Sequence, residues 1–269
     1  MNKQHHLFWA IGFVLIFVAL QIISEIFVTI GYAIYLHRVP DALPPLAIIL
    51  YMFLFSVAGI ILFWRKKWTE LSPRYLKSRP VGVFLWCIIA AIGAIIPSTF
   101  LQESLPEWPE SIQKYVDMAE AVAAQLMSTT GGYFIVCLLA PVTEEIVFRG
   151  AVLRTLLAWK PERRWLMITL SALLFMLAHM NPAQMIHPFL IGLLLGWMYE
   201  RTGSILPGII YHWANNTVAY LMFRAYPSTD LTLSDILGGS EKNVLMAVGF
   251  SLFILIPAIM QLNMRMKKK

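Results

Sequence analysis

An all-α polytopic membrane bundle of about eight transmembrane helices is the fold this sequence predicts, and three observations predict it. Of 269 residues, 59% are hydrophobic and 13% charged, where a soluble domain carries about 25% charged and 45–50% apolar residues. The apolar residues gather into long runs separated by short polar stretches. When those runs alternate across a bilayer, the basic residues fall almost wholly on one side.

The long runs are 7–36, 46–64, 81–101 and 131–158, followed by 165–180, 185–199, 204–223 and 244–262. A span needs about 20 residues, so the fifth and sixth are better read as helices packed inside the bundle. Asn181-Pro182 makes a tight break between them. One side receives Lys3, Arg65, Lys66, Lys67, Arg74, Lys77, Arg79, Arg154, Lys160, Arg163, Arg164, Arg201, Arg265, Lys267, Lys268 and Lys269, which is 16 of the 21 Lys and Arg. The other side receives Arg38, Lys114, Arg224 and Lys242, and Arg149 is left within the membrane. Both termini are therefore expected in the cytoplasm. The stretch 102–130 sets Glu103, Glu107, Glu110, Asp117 and Glu120 against Lys114, the pattern of a non-cytoplasmic loop with an amphipathic helix over 111–127. The first run is too long for a signal-peptide core and is expected as a retained anchor. The expected divisions, 1–130, 131–223 and 224–269, belong to one integrated bundle.

Charge and cysteine content exclude several function classes. The net charge of +6 comes from clusters between apolar runs, with no basic helix face, so no nucleic-acid partner is expected. Cys87 and Cys137 both lie in apolar runs, and neither a disulfide framework nor a cysteine zinc site follows.

Polar residues at bilayer depth are the functional signal. A charged side chain there costs about 2.5–3.5 kcal/mol on insertion scales, and the fourth run carries Glu144, Glu145 and Arg149 together. Glu145 and Arg149, four apart, share a helix face, and the pair lets Glu145 stay charged in a low-dielectric site. Glu144, about a third of a turn away, is left for general-base work. Pro141 and Thr143 just upstream can loosen the helix and admit water. In the fifth run Phe175 lies one turn from His179 and shields it. In the seventh, His212 and Asn216 share a face and offer two hydrogen-bond donors to one oxygen, which suits an oxyanion hole. Each has a plainer reading as well: a satisfied core histidine, a Glu–Arg clasp between helices. Glu25 is read as a polar contact, His187 as a helix-end residue and Asn215 as a cap or cross-link. The alternation of sides sets Glu144 mid-membrane but His179 near the non-cytoplasmic end of its helix, so the two meet only if the fifth and sixth helices are displaced.

The ordered triplet Glu144-Glu-Ile-Val-Phe-Arg-Gly150, Phe175-Met-Leu-Ala-His179 and the stretch from Arg201 to His212-Trp-Ala-Asn-Asn216 resembles the CPBP family of intramembrane proteases. That group contains type II CAAX prenyl endopeptidases and bacteriocin-processing or immunity proteins. The resemblance covers about 131–223 and implies an endopeptidase acting on a membrane-associated peptide or protein within the lipid bilayer. By that resemblance Glu144 activates water with His179, Glu145 and Arg149 orient and charge-balance the site, and His212 and Asn216 stabilise the oxyanion. A metal-free mechanism with no cofactor is favoured. The alternative is a zinc ion held by Glu144, His179 and His212, although His-Glu-x-x-His spacing is absent. Short loops suit a bacterial member in the inner (plasma) membrane. Two rival functions are a non-catalytic peptide-binding scaffold or immunity factor, and a small transporter, for which no inverted repeat is found.

Overall fold

The structure is a computed structural model and describes residues 5–40, 42–70, 74–78, 80–106, 108–181, 185–228 and 231–266. Lys3, Arg79, Lys267, Lys268 and Lys269 of the charge pattern, Glu107 of the acidic loop and Pro182 of the expected break lie outside the described residues. Among those described there is helix and no strand.

Every apolar run becomes a helix. They are α1 (His6–Leu36), α2 (Pro45–Arg65), α3 (Val81–Glu103), α5 (134–159), α6 (Arg164–Ala178), α7 (Ile186–Thr202), α8 (Leu206–Ala225) and α9 (Glu241–Arg265). The amphipathic stretch forms α4 (Glu110–Ser128). Four of these, α1, α2, α3 and α9, are long and apolar enough to cross a membrane. Helices α6 and α7, with 15 and 17 residues, rise only about 22–26 Å at 1.5 Å per residue, short of a ~30 Å hydrocarbon core. They pack as an antiparallel pair, pinned at one end by Arg164 Nη1 to Glu200 Oε1 at 2.6 Å. Small residues allow the close approach: a Cβ on Gly192 would meet Ala172, and one on Gly196 would meet Ile168. Helix α6 ends at Ala178 and places His179 at its C-cap, where the residue is exposed.

The two largest apolar clusters divide the bundle. One joins α1, α2, α5 and α6 through Phe13, Phe17, Phe55, Phe63, Phe148 and Phe175. The other joins α3, α7, α8 and α9 through Cys87, Ala90, Leu195, Tyr211, Ala258 and Leu262. The α3–α9 crossing is tight at Gly93, where a Cβ would stand 2.8 Å from the Leu255 backbone nitrogen. Gly93→Ala is expected to force the helices apart and cost about 1–3 kcal/mol, read as a lowered midpoint of thermal unfolding in detergent.

Candidate active site

Helix α5 is not regular. Residues Phe134–Leu139 and Glu145–Leu153 run with π-helical i→i+5 bonding, and an α turn, Ala140–Glu144, joins them. Pro141 lacks the N–H an α ladder needs, and Thr143 Oγ1 donates back to the Leu139 carbonyl at 2.8 Å, a bond that loosens helices. Side chains from other elements bond the wound backbone. Thr69 donates to the Ile146 carbonyl at 2.6 Å, Ser171 to Phe148 at 3.3 Å and Asn216 Nδ2 to Val136 at 2.9 Å. Such π segments recur at functional sites.

The two glutamates have different surroundings. Glu145 is fully buried, its Oε1 2.6 Å from Arg149 Nη1. Arg149 also reaches the Gly192 carbonyl at 3.4 Å and lays its guanidinium 4.4 Å from the centre of the Phe175 ring, a cation–π contact that holds the charge in an apolar place. Glu144 keeps 17% of its side chain exposed, and no cation is paired with it among the described residues. His212 stands between the carboxylates, with Nε2 3.8 Å from Glu144 Oε2 and Nδ1 3.5 Å from Glu145 Oε1.

Phe175 organises the remainder. Its ring meets that of His179 edge-on at 4.7 Å and that of His212 at 6.1 Å. His179 Nδ1 lies 2.9 Å from the Phe175 carbonyl, which only accepts, so Nδ1 carries the proton and Nε2 is left as an acceptor. Of the six residues singled out by sequence, Glu144, Glu145, Arg149 and His212 are brought into one cluster and His179 joins it through Phe175. Asn216, one turn beyond His212, ties its carboxamide to the backbone of α5.

Glutamate, histidine and histidine make a chemically plausible zinc donor set. Among the described residues no three His, Cys, Asp or Glu side chains converge closely enough to hold an ion, so these donors do not fit a metal as arranged here.

Residues 127–218 match the family model described as type II CAAX prenyl endopeptidase Rce1-like. Over this segment, about a third of the chain, the protein is similar to the CPBP family of intramembrane proteases. The match contains every residue of the cluster, from Glu144 to Asn216. The chain is also 26% identical over 162 residues to an uncharacterized 24.3 kDa protein of Escherichia coli, covering 58% of this chain and 71% of that protein. No solved structure matches.

Two parts of this site are not marked by the sequence pattern. Gly208 is one: a Cβ there would collide with the Glu145 carboxylate. Gly208→Ala is therefore expected to displace that carboxylate and lower turnover roughly 10- to 100-fold, as misplacement by about 1 Å can. Steady-state kinetics beside a thermal melt would read both effects. His187 is another. Read as a helix-end residue, it does lie at the start of α7, but its ring bonds Ser98 at 2.9 Å and Asn215 at 3.2 Å. The signal was available: Ser98, like His187, is a polar residue inside an apolar run.

Proposed function

We propose that this protein is an intramembrane endopeptidase that hydrolyses a peptide bond of a membrane-associated peptide or protein with water activated by Glu144 and His179. The observation that carries this reading is the contrast between the carboxylates: Glu145 is consumed by Arg149, whereas Glu144 is partly exposed, unpaired with Arg149 and beside the His212 imidazole. A carboxylate so placed is free to take a proton.

In the proposed reaction Glu144 takes a proton from water while His179 Nε2 accepts the other hydrogen and orients the molecule. The new carbon–oxygen bond forms on the substrate carbonyl, and its oxygen becomes an anion. Donors from His212 and from the free hydrogen of Asn216 Nδ2 stabilise that anion. Collapse breaks the carbon–nitrogen bond, and the departing amine takes the proton held by Glu144. Glu145 and Arg149 hold His212 and the helix in place. Membrane residence follows from the helices themselves. A bacterial inner membrane is the proposed location, which the similarity to the Escherichia coli protein supports.

Cleavage of a fluorogenic peptide library by detergent-purified protein, prepared without metal-affinity resin, tests the reading. Turnover is expected to survive chelators and to disappear in His179→Ala. Loss with chelator and restoration by zinc would move Glu144, His179 and His212 into a metal site. Binding of peptides without any turnover would favour the scaffold reading.

A further inference from the structure

Beside the proposed catalytic cluster runs a chain of hydrogen bonds whose first three members, Ser98, His187 and Asn215, take no part in the proposed reaction. Ser98 Oγ donates to the Ile95 carbonyl at 2.9 Å and lies 2.9 Å from His187 Nδ1. A hydroxyl has one hydrogen; with it spent on Ile95, Ser98 can only accept from His187, which fixes the proton on Nδ1. His187 Nε2 is then a lone pair, and Asn215 Nδ2 sits 3.2 Å from it. The same Asn215 nitrogen donates to Asn216 Oδ1 at 3.2 Å, so both its hydrogens face acceptors. Asn215 is 1% exposed, and its oxygen is buried with no hydrogen-bond partner. Reversing the amide would press that oxygen against a lone pair and a second oxygen. Asn216 in turn is oriented: Oδ1 takes the Asn215 hydrogen and one Nδ2 hydrogen goes to the Val136 carbonyl. Its remaining hydrogen is the one left to donate.

We infer that His187 is a positioning residue which, held as the Nδ1–H tautomer by Ser98, sets the Asn216 carboxamide through Asn215 so that an N–H faces the oxyanion. The reason to use imidazole here is that it supplies a donor and an acceptor on opposite edges of a rigid ring, spanning α3 to α8. Glutamine can offer the same pair of functions; leucine offers neither. Orienting groups behind reacting side chains matter because a donor must be aimed at the developing charge, not merely be near it.

The kinetic consequence rests on the peptidase reading, whereas the tautomer does not. Two measurements therefore separate the two. In the peptide assay His187→Leu is expected to lower kcat about 10- to 100-fold with KM little changed, and His187→Gln to recover kcat to within a few fold of wild type. A His187→Leu enzyme with wild-type kcat, or a Gln variant no better than Leu at equal folded content, would overturn the inference. Nitrogen-15 NMR of histidine-labelled protein in lipid, with His187 assigned by its loss in His187→Gln, is expected to show the neutral Nδ1–H form and its erosion in Ser98→Ala. The Nε2–H form, or no response to Ser98→Ala, would overturn it whether or not the protein cleaves peptides.

Discussion

Glu144→Gln is expected to lower turnover of a cleavable peptide by about 10³-fold or more while leaving the protein folded. Amide replaces carboxylate at nearly the same volume, so packing against His212 is kept and what disappears is the capacity to take a proton from water. General-base catalysis contributes typically 10²–10⁴-fold. Glu144 is partly exposed and carries no ion pair with Arg149, and its neutralisation leaves no charge stranded in the core. The unfolding midpoint should stay within a few degrees of wild type. A variant that keeps more than a tenth of wild-type kcat/KM would remove Glu144 from the chemistry.

The opposite profile is expected of Arg149→Met. Arg149 is 1% exposed and its partner Glu145 is fully buried. Removing the guanidinium leaves an uncompensated carboxylate among apolar side chains, and breaking a buried pair on one side costs about 3–5 kcal/mol. At roughly 2–4 °C per kcal/mol for a chain of this size, the unfolding midpoint should fall by about 10 °C or more. The double replacement Glu145→Gln with Arg149→Met should recover much of that loss without recovering activity, because it removes the stranded charge and not the need for an ordered site. Equal midpoints for the single and double variants would show that Arg149 acts mainly through its contact with the Phe175 ring.

The contrast shows which parts of the site are legible in a sequence. Glu145 and Arg149 announce themselves because charge at bilayer depth is costly and a spacing of four is a helix repeat; the 2.6 Å pair follows. Phe175 and His179 are legible for the same reason. Long apolar runs give helix positions within a few residues, since a chain in lipid has to close its own backbone bonds. What a linear pattern does not carry is which neighbours a short helix meets: Phe175 of α6 packs on Phe148 of α5 and faces His212 of α8, and His179 adjoins that ring. Nor does it carry contacts between runs. Ser98, His187 and Asn215 belong to α3, α7 and α8, and nothing in their sequence separation marks them as neighbours. The winding of α5 is also hidden, although Pro141 and Thr143 point to a loosened helix.

That winding gives the segment a phase. In an i→i+5 ladder each closed ring holds one residue more than in an α-helix, so the faces of residues before and after 145–153 are related by a count as much as by letters. A relative that kept Glu-Glu-x-x-x-Arg but lacked one residue between Arg149 and Arg154 would match the motif completely. That deletion is absorbed by a return from i→i+5 to i→i+4 winding, which keeps the helix beyond in phase, with the arginine that here reaches the Trp68 carbonyl at 2.9 Å on the same face; only holding the wider winding with one residue fewer would turn it away. Chain length across this stretch therefore reports the winding, and a gap there marks a relative whose helix has lost the π segment.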